Sequence, residues 1–205
     1  MKHSFLISFF LLFGFLNSKS NINNFEYQRT DIIQKFKQGI MDKSECENQK
    51  REAGYLAREI ENAIEKEDNY TAPEISNLKT LKKEIEALED YIAVVGNCGN
   101  NLLSLENFNL INRRVQGDVL NFGNQKFCID ITTVRIGNYI VYLAENNTLN
   151  NYTISYKWQG KHKKGLSSGK GEMGLSQKSL RRIYDNRNQP LSKNISVYEI
   201  SCKEF

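Results

Sequence analysis

The sequence predicts an α+β protein: an N-terminal helical region with an antiparallel helical hairpin, then an antiparallel β-sheet domain, either a small sandwich or a curled sheet. Three observations lead there. Apolar residues recur at steps of three and four from about Asn24 to Val95, then alternate with polar ones from about Phe127 onward. All four cysteines lie beyond residue 20, two before residue 100 and two after it. The charge divides as well: residues 21–100 carry 11 Lys/Arg against 16 Asp/Glu, and residues 101–205 carry 15 against 8.

The first segment, residues 1–20, is expected to be a signal peptide. Lys2 gives a positive start, and Phe5 to Leu16 form an apolar run shorter than the ~20 residues needed to span a bilayer. Ser18 and Ser20 are small residues at the spacing a signal peptidase accepts, which places cleavage after Ser20. Removing 20 of the 205 residues leaves 185, enough for one compact domain or two small ones. The expected location is secreted or periplasmic, with no transmembrane anchor.

Residues 21–100 read as three helices. The first, about Asn24 to Ile40, aligns Phe25, Ile32, Ile33, Phe36 and Ile40. The second starts at Ser44, with Glu47 three residues on completing a capping box, and carries Ala53, Leu56, Ala57, Ile60, Ala63 and Ile64 on one face. After a break at Glu67 to Tyr70, Thr71 with Glu74 repeats the capping spacing and Pro73 suits the first turn. Ile75, Leu78, Leu81, Ile85, Leu88, Ile92 and Val95 mark the clearest stripe, which Gly96 and Gly99 are expected to stop. The stripe is either core or a coiled-coil surface that docks a partner or a second copy, so a homo-oligomer is one expectation.

A short turn makes long neighbouring helices antiparallel, which brings Cys46 and Cys98 to one end of the hairpin. The expected disulfides are therefore Cys46–Cys98 and Cys128–Cys202.

Residues 101–205 read as five to seven antiparallel strands. Phe127, Ile129 and Ile131 alternate with polar neighbours, Tyr139 to Leu143 is apolar throughout, and Ile154, Tyr156 and Trp158 alternate again, as do Tyr198, Ile200 and Cys202. Turns are marked at Gly117, Gly123-Asn124, Gly137-Asn138 and Asn146 to Asn151. Ser176 to Asp185 reads as a short helix with Leu180 and Ile183 inward and Arg181 and Arg182 outward. Cys128 has the wrong parity for the strand around it, which implies a bulge or a second apolar layer.

Little catalytic chemistry is visible. His162 is the one histidine left once His3 departs with the signal, so multi-histidine metal sites and Ser-His-Asp or Cys-His arrangements are hard to assemble. No metal or cofactor is expected. Gly165-Leu-Ser-Ser-Gly169-Lys170-Gly171 resembles a phosphate loop only loosely: the glycine spacing is one residue short and Gly171 stands where Ser/Thr is required. It is expected to be a flexible hairpin loop, and no ATP is expected. The acids of the second half, Glu106, Asp118, Asp130, Glu145, Glu172, Asp185, Glu199 and Glu204, form no hydrolase motif.

The best functional signal is electrostatic. Lys157, Lys161, Lys163, Lys164, Lys170, Lys178, Arg181, Arg182 and Arg187 face two acids, Glu172 and Asp185, between residues 157 and 187, with Tyr156, Trp158 and Tyr184 among them. Such a cluster attracts phosphate, sulfate or uronate groups. The expected function is non-enzymatic binding of an anionic polysaccharide or a protein partner. Alternatives are an assembly protein that oligomerises through its helices and a secreted hydrolase. Asn69, Asn146, Asn151 and Asn194 begin N-x-Ser/Thr sequons, which suggests a glycoprotein only weakly because asparagine is abundant.

Overall fold

A computed structural model describes residues 21–38, 42–99, 102–115, 118–121, 128–136, 139–162, 165–185 and 194–205. The expected signal segment lies outside them. Helix α1 covers residues 21–37. Next come α2 (Lys43–Glu65), a 3-10 turn (Glu67–Asn69) and α3 (Ala72–Gly96). The second half holds β1 (Leu102–Ser104), α4 (Leu105–Val115), β2 (Asp118–Asn121), β3 (Asp130–Ile136), β4 (Tyr139–Asn146), β5 (Tyr152–His162), β6 (Gly165–Leu175), β7 (Ser179–Asp185) and β8 (Asn194–Glu204). The α+β order is that of the sequence expectation, with helices first and antiparallel sheets after.

Local chemistry sets the helix ends. Asp42, not Ser44, caps α2: its carboxylate accepts from Glu45 N at 2.9 Å. Asp and Ser cap about equally well, so composition alone could not choose between them. Thr71 and Glu74 form the expected capping box on α3, Thr71 N donating to Glu74 Oε2 at 2.8 Å and Glu74 N to Thr71 Oγ1 at 3.4 Å. Asn97, at φ 64, takes the left-handed residue that ends α3, where Gly96 remains helical.

Helices α2 and α3 form the antiparallel hairpin, and Cys46 is bonded to Cys98 at its open end, with Cα atoms 5.8 Å apart. Helix α3 is buried on more than one side, with Tyr91, Ala93 and Val94 sequestered as well as the predicted stripe. It packs against α2, α4, β1 and β7. A partly buried charge cluster ties its flank: Glu84, itself buried, accepts from Arg29 of α1 at 2.6 Å and also pairs with the more exposed Arg114 of α4. Beside it Tyr91 Oη donates to Asn112 Oδ1 at 2.9 Å.

The described strands number eight and form two sheets, β1-β7-β4-β3-β2 and β6-β5-β8, with every pairing antiparallel. Alternation assigns the faces. Val134, Ile136, Val141, Leu143 and Leu180 of the first sheet join the helices in one core. Ile131, Ala144 and Ile183, on its other face, join Ile154, Tyr156, Trp158, Leu175, Val197 and Ile200 of the second sheet. The layers therefore run helices, sheet, sheet. The boundary near residue 100 separates two kinds of sequence but not two cores, because the larger core draws on both halves.

Two elements differ from expectation. Helix α4 falls where only strands were expected; Ser104 Oγ accepts from Asn107 N at 3.1 Å at its start, and Phe108, Ile111 and Val115 bury its inner face. Residues 179–185 form β7, not a helix, because they fill the slot between β4 and β1 and satisfy both ladders. Cys128 precedes β3 instead of lying within a strand, which removes the parity conflict, and it is bonded to Cys202 of β8 with Cα atoms 6.3 Å apart.

The β5–β6 hairpin leaves the first sheet after Asn146 and the chain rejoins it at Ser179, and these two residues are partners in the β4–β7 ladder. Asn146, fully buried, staples that junction. Its Nδ2 donates to Asn150 O at 2.8 Å and Ser176 O at 3.0 Å, while its Oδ1 accepts from Thr148 N at 3.0 Å and Thr148 Oγ1 at 2.7 Å.

Candidate functional site

The structure divides the expected basic region. Lys157 on β5 and Lys170 on β6 are direct cross-strand partners, so both project from the same, outer face of the second sheet. Lys203 of β8 stands opposite Thr153 on that face. Around them lie Ser155, Gln159, Ser168, Ser196 and Ser201, a surface rich in hydroxyl and amide groups, with Tyr198 37% exposed beside Lys157. The inner face of the same strands carries Ile154, Tyr156 and Trp158, as period-2 alternation requires.

Two acids moderate the face. Glu172 is opposite Ser155, and Glu199, at φ 49 in the bulged stretch of β8, pairs with Lys157. The Glu199 carboxylate accepts a hydrogen bond from the Lys157 ammonium and holds its pKa above the ordinary value.

Three other predicted cations lie elsewhere. Lys178 sits in the turn before β7 and donates to Asn147 O at 2.6 Å. Arg181 and Arg182 belong to the first sheet and point to opposite sides of it: Arg181 Nη1 donates to Gly174 O at 2.7 Å, while Arg182 bonds Asn97 Oδ1 at the end of α3. Arg181 and Arg182 thus serve joints between layers. The nearby arginines partly offset the burial that raises the Tyr156 phenol. Lys161 and His162 end β5, but their side chains lie outside the described residues, as do Lys163, Lys164 and Arg187 altogether.

The Gly-rich stretch is strand β6, not a loop, and its glycines make room for aromatic rings of β5. A Cβ on Gly169 would lie 2.6 Å from Trp158 Nε1, and one on Gly171 would lie 2.5 Å from Tyr156 Oη. The rings spread over the glycines of the neighbouring strand and cover its bare backbone.

The sequons separate in the same way. Asn69 is exposed at the hairpin turn. Asn146 is not available: its amide is committed to the buried junction, and a glycan there has no room in the folded chain. Asn151 Oδ1 accepts from Gln177 N at 2.9 Å, and the Asn194 side chain is outside the described residues.

Sequence reasoning missed Lys203, Tyr198 and Glu199 as members of the face because it searched one contiguous stretch. The alternation through residues 197–202 was visible, but not that β8 pairs with β5. Among the described residues no group of three or more His, Cys, Asp or Glu is placed to hold a metal ion, and no helix is long and apolar enough to cross a membrane. Comparisons with family models, curated proteins and solved structures find no match for this chain.

Proposed function

We propose that the chain is an exported, non-enzymatic binding protein whose outer β6-β5-β8 face takes an anionic glycan. One observation carries this: Lys157 and Lys170 are neighbours across a ladder on an exposed, hydroxyl-rich face. Like charges in directly opposed positions repel, and Glu199 offsets the repulsion at Lys157 only, which leaves Lys170 as a cation open to an anionic ligand. Sulfate or uronate groups spaced along a polysaccharide would pair with Lys170 and share Lys157 with Glu199, the serine and glutamine side chains supply hydrogen bonds, and Tyr198 offers a ring against which a sugar can lie. The expected signal peptide and two disulfides support export to an oxidising compartment.

Retention on immobilised heparin tests the proposal. The wild-type chain is expected to bind at low salt and elute with rising ionic strength, and Lys157→Ser/Lys170→Ser to elute much earlier. Lys43→Ser/Lys79→Ser removes equal charge from the helices and is expected to elute like the wild type. Equal elution of both double variants, or no retention of the wild type, overturns the proposal. Replacing Lys161, Lys163 and Lys164 with Ala separately measures what the adjoining hairpin end adds.

A further inference from the structure

Sheet edges present unpaired backbone groups, and natural proteins shorten, bend or charge them to avoid adding another strand. Three of the four edges here are managed in that way. β1 has three residues and β2 four. β8 is bulged between Tyr198 and Ser201, opposite Lys157 and Ser155 of β5, and has a left-handed residue at Glu199. β6 is different. It pairs with β5 over 11 consecutive residues without a register shift, and its other edge has no partner strand among the described residues.

Charge alone would be expected to guard such an edge, and Lys170 would do so by itself. Glu172, two residues on and exposed on the same face, alters the situation. Among the described residues neither of the two enters an ion pair. A two-fold axis perpendicular to a sheet passes through a residue pair when it joins identical antiparallel edges. Centred on Lys170, it would oppose two lysines. Centred on Gly171, it sets Lys170 of each copy opposite Glu172 of the other, two complementary pairs by symmetry.

The inner face fits the same register. Gly169 would stand opposite Met173 of the second copy, small against large. The Trp158 and Tyr156 rings, which already extend over Gly169 and Gly171, would lie along the seam. Arg181 holds Gly174 O, which limits the free stretch at that end. We propose that two copies of this chain join edge to edge through residues 169–173 of β6, antiparallel about Gly171, extending the three-stranded sheet to six. Lys170 serves both readings, but the contact also needs Glu172 and the free backbone edge, which the glycan reading does not use, so Glu172→Lys separates the two: it should weaken association without weakening heparin retention.

Sedimentation velocity over a concentration series, on the disulfide-bonded chain, is the test. The wild type is expected to pass from monomer to dimer as concentration rises. Lys170→Glu and Glu172→Lys each turn two attractive pairs into two repulsive ones and should weaken association about tenfold or more. The double variant Lys170→Glu/Glu172→Lys restores complementarity and should recover the dimer. In the wild type, amide hydrogen exchange over residues 169–173 should slow with concentration, a readout independent of any variant's folding. A monomer at every concentration, a dimer indifferent to the single reversals, a double variant as weak as the singles, or exchange that ignores concentration overturns the proposal.

Discussion

Gly169→Ala is the most informative single substitution, because the site it perturbs contains its own reporter. The added methyl carbon would lie 2.6, 2.7 and 2.8 Å from Nε1, Cε2 and Cζ2 of Trp158. Non-bonded carbon atoms rest about 3.5–4.0 Å apart, so the indole must retreat by about 1 Å. Forcing a methyl into a packed site costs about 1–3 kcal/mol. Against this, Ala in place of Gly in a strand recovers about 0.5–1 kcal/mol of backbone entropy. The expected net loss is about 1–2 kcal/mol, a fall in Tm of a few degrees for a chain of this size. Trp158 is the one tryptophan of the chain, so its emission reads the displacement directly and should move to longer wavelength as the ring meets water. Thermal unfolding followed by that emission and by circular dichroism gives both quantities. The decisive comparison is made in a Trp158→Leu background, where Gly169→Ala should be neutral or slightly stabilising. An equal loss in both backgrounds, or unchanged emission in the single variant, would refute the close approach of ring and glycine.

Three other predictions concern the helical core. Glu84→Gln leaves Arg29, whose side chain is 19% exposed, beside Arg114 without their shared carboxylate; it should cost about 2–4 kcal/mol in urea denaturation, and Glu84→Leu/Arg29→Met should cost less than the single change. Tyr91 is fully buried, and burial pushes its phenol well above the ordinary value of 10.0. Its raised native pKa favours the folded state below pH 10, and that contribution is lost as pH climbs and the unfolded chain releases the proton. Stability should thus fall above pH 10 more steeply in the wild type than in Tyr91→Phe, by one proton in a pH series of denaturation midpoints. Replacing Cys46 and Cys98 with Ser opens a loop with a sequence separation of 52, worth about 4 kcal/mol in the chain-entropy account, and should lower the denaturation midpoint accordingly.

The parts of the fold legible in the sequence are those set by neighbours along the chain. The Thr71–Glu74 box needs only residues within one turn, and the Cys46–Cys98 pairing needs only two long helices and a short turn. Helix α4 escaped because three inward residues, Phe108, Ile111 and Val115, make a short stripe among strands, although Ser104 marked its start. Residues 179–185 were misread because their local pattern suits a helix, whereas the vacancy between β1 and β4 was decided by distant chain. The candidate site shows the same limit. The five described cations of the predicted cluster, Lys157, Lys170, Lys178, Arg181 and Arg182, scatter over two sheets and a turn, because alternation sends neighbours to opposite sides and β7 joins the other sheet. Lys203 enters from the C-terminus by a pairing that no local pattern announces.

The ladder partnership of Asn146 and Ser179 bears on the order in which the chain can assemble. Since β4 meets β7 at the point where the β5–β6 hairpin departs, the first sheet and the helical core are complete once Asp185 has been made. The apolar layer beneath the second sheet must wait for β8, Asn194–Glu204. During synthesis Cys46 and Cys98 are both present long before Cys202, so their bond can close while Cys128 still lacks its mate. Under the proposed export, a chain entering an oxidising compartment N-terminus first would meet a hazard in that interval, when Cys128 could capture either of the earlier thiols. Folding of the α2–α3 hairpin before Cys128 emerges would place Cys46 and Cys98 together and protect against that exchange.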